Sequence, residues 1–192
     1  YGEIGDGTTV RKTSPVDITS GFGLTEGETI ATISCGSISL CCYALTSSGR
    51  AYAWGNNGNY EIGDGTKTCK TSPVDITSEF ALSSGETIKT LSGNGGSSFV
   101  LTSNGRVYAW GRNDLGQVGD GTTTSKTSPV DITSEFALSS GETIASISVA
   151  DGHTFALTSS NSLYAWGYNY YGQLGDGFSG TGTNVSVPKK VT

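Results

Sequence analysis

Several residue types that carry catalytic, metal-binding or nucleic-acid-binding chemistry are scarce in this sequence. Its 192 residues include no methionine, one histidine, four cysteines and four prolines. Charged residues make up 15% of the chain, and 17 acidic residues outnumber 11 basic ones, which leaves a formal net charge of −6. Nucleic acid and anionic membranes attract basic surfaces, so we expect neither partner. No apolar run approaches the ~20 residues of a membrane-spanning helix, so we expect no membrane insertion.

The few candidate catalytic and metal-binding residues do not form a recognisable site. His153 has Asp151 two residues before it, but no nucleophile accompanies them, so we predict a hydrogen-bonded structural histidine and no catalytic residues. Gly-Asp-Gly triplets are centred on Asp6, Asp64, Asp120 and Asp176. One such aspartate per repeat is too few for Ca²⁺, which takes about six to eight oxygen ligands, whereas Asp-Gly suits a turn. The sequence therefore predicts no metal, no cofactor and no enzyme.

The cysteines all lie in or beside the first predicted blade, at Cys35, Cys41, Cys42 and Cys69. Zinc needs four ligands that converge on one point, and adjacent strand residues such as Cys41 and Cys42 point to opposite faces. If the first two strands form a tight hairpin, Cys35 faces one of that pair across it. A disulfide there and free thiols are both open, and so is the redox compartment.

What the sequence does contain is glycine and an internal repeat. The 29 glycines, with many serines and threonines, suit short strands joined by turns. Trp54, Trp110 and Trp166 recur every 56 residues within AYAWGNNGNYEIGDGT, VYAWGRNDLGQVGDGT and LYAWGYNYYGQLGDGF, and a partial copy, YGEIGDGT, opens the chain. A period of this length with strand-like content is typical of a β-propeller or a β-solenoid.

The second copy shows how one repeat is organised. Predicted strands cover residues 86–92, 97–103, 106–111 and 129–133, and Asn104-Gly105 is a strong hairpin signal. Alternation places Phe99 and Leu101 on one face of the second strand and Val100 on the other. In the third strand Val107 and Ala109 share one face, and Tyr108 and Trp110 share the other. Four antiparallel strands form one propeller blade, whereas solenoid rungs lack an internal hairpin, so the pattern favours a propeller.

The repeated phrases also resemble a known family. ALTSSGRAYAWGNNGNYEIGDGT, VLTSNGRVYAWGRNDLGQVGDGT and ALTSSNSLYAWGYNYYGQLGDG are similar to repeats of the RCC1 (regulator of chromosome condensation) family, and the similarity extends over the whole chain. The Gly-His-Thr that opens the family motif is matched by Gly152-His153-Thr154 alone. The resemblance implies a propeller of usually seven blades. The near-identical copies and the connector PVDITSEFALSSGETI most resemble bacterial members.

We therefore predict an all-β, RCC1-like β-propeller fragment with three complete four-stranded blades and an extra outer strand. The predicted units are residues 1–28 (an outer strand at 15–19 and a connector), 29–78, 79–134 and 135–192. The chain opens in mid-repeat, so we expect a piece of a longer protein. Uncovered blade faces and strand edges drive association. Further repeats of the same chain or a second copy are therefore expected to complete the ring.

Two sets of residues are predicted to matter. The structural set packs blade against blade and comprises Trp54, Trp110, Trp166, Gly55, Gly111 and Gly167. The binding set varies between copies in the loop after Trp-Gly and comprises Tyr60, Arg112, Asp114, Tyr168, Tyr170 and Tyr171. Exposed tyrosine and arginine are favoured at interface hot spots. Ordinary loop packing is the alternative.

The expected function is a non-enzymatic scaffold that binds a protein or a glycan, or acts in adhesion. Its expected setting is a larger bacterial surface or secreted protein, at an extracellular or cell-surface location. The alternative, implied by the resemblance, is an enzyme regulator such as a guanine-nucleotide exchange factor for a small GTPase. That role uses a full ring, a wedge-like insertion and basic nucleosome contacts. The uniform repeats and acidic balance here favour the scaffold.

Overall fold

Short β-strands make up nearly all of the regular structure. The computed structural model describes residues 1–192, and its only helices are 3-10 turns of three or four residues. None of these helices has the length and apolar character needed to cross a bilayer. In chain order the strands are β1 (Ile30–Cys35), β2 (Cys41–Thr46), β3 (Ala51–Gly55), β4 (Lys70–Asp75), β5 (Ile88–Asn94), β6 (Ser97–Thr102), β7 (Val107–Gly111), β8 (Lys126–Asp131), β9 (Ile144–Val149), β10 (His153–Thr158), β11 (Leu163–Gly167) and β12 (Val185–Lys190).

The strands form three antiparallel four-stranded sheets, each built from four consecutive strands. We name them blade 1 (β1–β4), blade 2 (β5–β8) and blade 3 (β9–β12). The first strands β1, β5 and β9 contact one another from blade to blade, and β4, β8 and β12 form the outer edges. The predicted all-β fold with three four-stranded blades is therefore confirmed.

Blade 2 is packed on both of its faces, because its side chains alternate as the sequence predicts. The face of β6 and β7 toward blade 3 carries Phe99, Leu101, Val107 and Ala109. The face toward blade 1 carries Val100, Tyr108 and Trp110. Each set joins an apolar cluster with the neighbouring blade, so the hydrophobic core lies between the sheets rather than inside any one of them.

The outer strand of blade 2 lies earlier than predicted, at 126–131 rather than 129–133. It ends where the Asp131 carboxylate accepts a hydrogen bond from the Thr133 amide at 2.9 Å, which turns the chain into the 3-10 helix Thr133–Glu135. Pro129 therefore lies inside the strand instead of at its start. Because β8 is a sheet edge, the missing N–H of Pro129 can be tolerated there. The first strand begins two residues later than predicted, at Ile88.

Residues 15–19, predicted as an extra outer strand, have no ladder partner in the chain. Asp17 accepts a bond from the Thr19 amide at 2.8 Å, the contact that Asp131 makes at the end of β8. The 3-10 helix Thr19–Phe22 follows, as a 3-10 helix follows β4 and β8. The local conformation of an outer-strand end is therefore present, but strand pairing also needs a neighbouring strand.

The cysteine alternatives are resolved in favour of one disulfide. Cys35 and Cys42 are paired residues of β1 and β2, with their Cα atoms 4.2 Å apart, and their sulfurs are bonded. Cys41 and Cys69 carry free thiols. Burial raises the pKa of the Cys41 thiol to about 12, which leaves it protonated and unreactive at neutral pH.

Candidate functional site

A buried asparagine organises the loop that follows each Trp-Gly pair. In blade 2, the Asn113 side-chain oxygen accepts a bond from the Val118 amide at 2.9 Å. Its amide nitrogen donates to the carbonyls of Thr122 and Thr124, each at 3.1 Å. Asn57 and Asn169 make the corresponding bonds to Ile62 and Leu174. We call residues 57–65, 113–121 and 169–177 the inter-blade loops.

Each of the first two inter-blade loops bonds to the tryptophan of the following blade. The indole nitrogen of Trp110 donates to the Glu61 carbonyl at 2.8 Å, and that of Trp166 donates to the Gln117 carbonyl at 3.0 Å. Trp54 makes the same bond to Glu3 at 3.0 Å, so the N-terminal segment acts as an inter-blade loop for blade 1. The tryptophans thus combine apolar packing with a specific bond between units.

Glycine is required where these elements approach most closely. A Cβ on Gly119 would lie 2.6 Å from the Trp166 indole nitrogen, and its φ of +86° already disfavours other residues. At the end of β7, a Cβ on Gly111 would lie 2.3 Å from the Gly96 carbonyl oxygen. Gly55 and Gly167 are in the same situation in their blades. These contacts explain the repeated Trp-Gly and Gly-Asp-Gly phrases.

The aspartates of the Gly-Asp-Gly triplets close turns. Asp120 accepts bonds from the Thr122 amide and hydroxyl and pairs with Lys126 at 2.6 Å. Burial opposes ionisation of Asp120, but these bonds outweigh it and its pKa is lowered. Lys12 and Thr8 lower the pKa of Asp6 to about 2. No cluster of three or more His, Cys, Asp and Glu residues in the chain could hold a metal ion.

The remaining candidate residues lie in and around the loops after Trp-Gly. We call the surface that they form the loop face; it comprises Tyr60, Arg112, Asp114, His153, Tyr168, Tyr170 and Tyr171. Arg112 and Asp114 form a two-bond ion pair there, with distances of 2.6 and 2.8 Å. His153 is half-buried, packs edge-on to Phe155 at 5.7 Å and lies 3.4 Å from the Asp151 carbonyl. The predicted structural role of His153 suits these contacts, while the Arg112–Asp114 pair stays a predicted binding element.

Tyr60 is separate from the other candidates in its backbone conformation. Its φ is +68°, and Gly116 and Gly172 occupy the matching positions of the other blades with φ of +78°. A side chain in this left-handed region is disfavoured by roughly 1–2 kcal/mol. The Lys67 ammonium lies 5.2 Å above the Tyr60 ring. Tyr60 is therefore an irregularity of blade 1, and its binding role stays a prediction.

The three tyrosines of blade 3 come together in one cluster. Tyr168 and Tyr170 have nearly parallel rings with centroids 6.4 Å apart. Tyr171 stands almost perpendicular to both, at 6.2 Å from Tyr168 and 5.0 Å from Tyr170. Tyr170 is 47% and Tyr171 78% exposed, whereas Tyr168 is half-buried. Desolvation, followed by the neighbouring Tyr171 and Tyr170, raises the pKa of Tyr168 above its usual value.

The acceptors of the tryptophan bonds were not predicted from the sequence, because they are backbone carbonyls. The available signal was the Glu/Gln-apolar-Gly phrase that precedes each Gly-Asp-Gly. The full burial of Glu61, where the other blades have Gln117 and Gln173, was not predicted either. Burial raises the pKa of Glu61, although its carboxylate accepts a bond from the Asn59 amide at 2.8 Å.

Comparison with known families identifies the repeat. The model described as "Regulator of chromosome condensation (RCC1) repeat" matches residues 48–99, 104–157 and 160–192. The chain belongs to the RCC1 repeat family. A second RCC1-repeat model matches residues 88–117 and 144–173. The resemblance noted in the sequence is thereby confirmed.

Several RCC1-repeat proteins are similar to this chain in sequence. The ultraviolet-B receptor UVR8 of Arabidopsis thaliana is 31% identical over 93% of this chain and 38% of its own length. The E3 ubiquitin-protein ligase HERC2 of Homo sapiens is 27% identical over 92% of this chain and 3% of its own. The protein RCC2 homolog of Xenopus laevis is 27% identical over 83% of this chain and 29% of its own. The chain thus spans well under half of each relative, and these relatives are eukaryotic, which gives no support to a bacterial origin.

Two solved structures show the same fold. Human WBSCR16 superposes with a TM-score of 0.69 at 23% identity, over 86% of this chain and 40% of that one. Prp20p from Saccharomyces cerevisiae superposes with a TM-score of 0.67 at 21% identity, over 85% of this chain and 38% of that one. At this level of identity the similarity concerns the fold, and it supports the RCC1-like propeller architecture.

Proposed function

We propose that this RCC1-repeat chain is a non-enzymatic, protein-binding scaffold that uses its loop face. The observation that carries the proposal is that constant and variable positions occupy different parts of the repeat. The tryptophan, the buried asparagine and the glycines that join the blades are the same in each copy, whereas the loop after Trp-Gly differs. A rigid frame with variable exposed loops is the usual arrangement of a binding surface.

The differences between the loops are chemical as well as positional. Blade 2 presents the Arg112–Asp114 ion pair, and blade 3 presents the cluster of Tyr168, Tyr170 and Tyr171. Arginine and tyrosine are enriched among residues that dominate protein interfaces. Neither group is needed for the contacts between the blades, so their side chains are available to a partner.

The experiment compares proteins captured by the wild-type chain and by two loop variants, the pair Arg112→Ala/Asp114→Ala and the pair Tyr170→Ala/Tyr171→Ala. The matched control is Asn104→Ala, in the hairpin turn between β6 and β7 at the opposite end of blade 2. We expect the loop variants to lose a common partner while keeping the wild-type melting temperature. Capture that is equal for all variants would contradict a role for the loop face.

The open faces at the two ends of the blade series support the proposed completion of a ring. Leu157 and Leu163 of blade 3 are each 37% exposed, and Ile33 of blade 1 is 63% exposed. The matching residues of blade 2 are Leu101, Val107 and, by strand pairing, Leu91, and all three are buried between blades. Further repeats or a second copy would cover these apolar side chains as blade 2 covers its neighbours.

Light scattering over a range of concentrations tests the second-copy form of this proposal. We expect association of the isolated chain, and we expect Leu157→Glu to reduce it without unfolding the protein, because Leu157 is already partly exposed. A wild-type chain that stays monomeric and binds no hydrophobic dye would contradict it.

The exchange-factor alternative and the location have separate tests. The Prp20p structure is described by its binding to Gsp1p and histones, which motivates an assay of fluorescent-nucleotide release from a small GTPase. We expect no acceleration by this chain, and a saturable acceleration would favour the alternative. An extracellular or cell-surface location is supported by the Cys35–Cys42 disulfide, since disulfides persist in oxidising compartments. Counting free thiols in the protein isolated from its source tests that location.

A further inference from the structure

The three tyrosine rings of blade 3 lie close together, with all of their centroids within 6.4 Å of one another. Tyr168 and Tyr170 are within 7° of parallel, and Tyr171 is within a few degrees of perpendicular to each, at 86° and 84°. Faces of aromatic rings carry negative electrostatic potential and attract cations within about 6 Å of the ring centre. A cation above this group would lie close to more than one ring at once.

The surroundings of the tyrosines carry excess negative charge. The Tyr168 amide donates to the Gly152 carbonyl at 2.8 Å, and the first ring carbon of Tyr168 lies 4.0 Å from where a Cβ on Gly152 would be, so the ring is beside the turn that contains Asp151. The Asp151 carboxylate is exposed, accepts no hydrogen bond and lies toward the Gly95 turn of blade 2, where Asp114 and, more weakly, Asp151 raise the pKa of Arg112. The neighbouring guanidinium of Arg112 is held in two bonds by Asp114. Two carboxylates therefore accompany one cation at this part of the loop face.

Blade 2 has a cationic residue at the position that Tyr168 occupies in blade 3. Arg112 matches Tyr168, and its side chain lies along the Gly96 turn. Blade 3 has no arginine or lysine in the corresponding loop. Lys189, on the outer strand, pairs with Asp176 at 3.0 Å and covers Phe178 instead. The tyrosine group thus has no cation of its own.

The exposure of the tyrosines does not depend on blade 3 being the last one. Asp114 matches Tyr170 and is exposed although blade 3 follows it, and Gly58 at the same position of blade 1 is exposed although blade 2 follows. Asn59 and Leu115, which match Tyr171, are exposed and half-buried. A following blade would therefore leave Tyr170 accessible and Tyr171 at least partly so.

We propose that Tyr168, Tyr170 and Tyr171, with Asp151, bind a cationic side chain, an arginine or a lysine, on a basic segment of a protein partner. This inference rests on the proposed protein-binding function of the loop face and specifies the chemistry of the partner. The rings provide cation–π contacts and Asp151 provides charge complementarity, while the net charge of −6 favours the approach of a basic segment.

The test is a fluorescence titration with three labelled nonapeptides that alternate glycine with arginine, lysine or glutamine. We expect the arginine and lysine peptides to bind and the glutamine peptide not to bind. Tyr170→Leu/Tyr171→Leu should weaken the binding of the arginine peptide by about tenfold, because leucine keeps apolar bulk but has no ring face. Tyr170→Phe/Tyr171→Phe should stay within about twofold of the wild type. Asp151→Asn should weaken binding by about threefold and flatten its salt dependence.

Controls separate this proposal from the proposed function. Tyr1→Leu removes another exposed tyrosine and should change nothing, and thermal melting should show that every variant is folded. Leucine variants that bind like the wild type, or a glutamine peptide that binds as well as the arginine peptide, would overturn the cationic assignment. The assignment would also be overturned if a neutral oligosaccharide such as chitotriose bound more tightly than the arginine peptide and Tyr170→Leu/Tyr171→Leu weakened that binding as well. If the Arg112→Ala/Asp114→Ala pair still loses its protein partner, the loop face remains a binding surface and only the cationic occupant fails.

Discussion

Leu101 of blade 2 and Leu157 of blade 3 occupy the same position in nearly identical phrases, yet Leu101 is 1% and Leu157 is 37% exposed. Their strands have the same pairing, so the difference does not come from local structure. It comes from the neighbour, because blade 3 covers Leu101 and no part of the chain covers Leu157. In this fold a side chain becomes core only when the next blade is present.

The same contrast extends to the inter-blade loops. Gly119 packs against the Trp166 ring, whereas the matching Gly175 has no atom within 4 Å of where its Cβ would be. Trp110 and Trp166 lie between blades, whereas Trp54 is covered by residues 1–28. The molecule thus contains closed interfaces and open ends built from the same sequence pattern, and matched substitutions can measure the difference.

The largest contrast is expected between Trp110→Ala and Trp54→Ala. Loss of Trp110 should lower the free energy of unfolding by about 3–5 kcal/mol, because the ring and its bond to Glu61 join two blades. Loss of Trp54 should mainly release residues 1–28 and leave the blades paired. Urea denaturation measures the first effect, and amide hydrogen exchange of residues 1–28 measures the second. Equal global losses would show that the N-terminal segment is as integral as a blade.

Leu101→Ala and Leu157→Ala compare the covered and the open face directly. We expect a loss of about 3 kcal/mol for Leu101, which is typical of a buried leucine, and less than about 1 kcal/mol for Leu157. Chemical denaturation at low protein concentration provides the measurement. If Leu157→Ala becomes costly as the concentration rises, a second copy covers that face, which would sharpen the ring proposal.

Gly119→Ala and Gly175→Ala compare a filled with an unfilled loop position. Both glycines have positive φ, so each alanine is strained by about 1 kcal/mol. Gly119→Ala also forces a methyl group against the Trp166 ring, and we expect a total loss of about 2 kcal/mol or more. The difference between the melting temperatures of the two variants should measure the contact of the methyl group with the Trp166 ring, because the backbone strain is common to both. Identical melting temperatures would mean that the ring contact is not tight.

The smallest expected effect on stability is that of replacing Glu61, which distinguishes the interface between blades 1 and 2 from that between blades 2 and 3. Glu61 lies where Gln117 lies in the next loop, and burial raises its folded-state pKa. A raised carboxyl pKa means that the folded state loses stability as pH rises from the unfolded value of about 4.3 through the folded pKa. Glu61→Gln should therefore stabilise the protein at pH 7 by about 1 kcal/mol and have little effect at pH 4. Urea midpoints at both pH values check this, and the reverse pH dependence would contradict it.

Much of the fold could be predicted because its signals are periodic and local. The interval between tryptophans, the Asn104-Gly105 turn and the alternation in β6 and β7 each reflect short-range geometry. The outer strand starts three residues and ends two residues earlier than predicted, and its end is set by the bond that the Asp131 carboxylate accepts from the Thr133 amide. Residues 15–19 were predicted as a strand from the same phrase, but a strand also needs a partner.

The candidate site was less predictable, since it depends on contacts between loops. The predicted binding residues did not signal which of them would lie together: Tyr168, Tyr170 and Tyr171 form one group, whereas Tyr60 stands apart with a left-handed backbone. Asp151 stood out in the sequence only as a neighbour of His153, and its place beside Tyr168 required the structure. The choice of Cys42 over Cys41 likewise required the strand register.

The amino-acid sequence by itself determined the repeat, the four-stranded blade, the faces of each strand and the family, because all of these follow from spacing along the chain. The tertiary structure decided which equivalent side chains are buried, which carbonyl each tryptophan bonds and where the tyrosines meet. The physical reason is that burial and hydrogen bonding between blades depend on the neighbouring unit, and identical phrases acquire different roles when one has a neighbour and another has not.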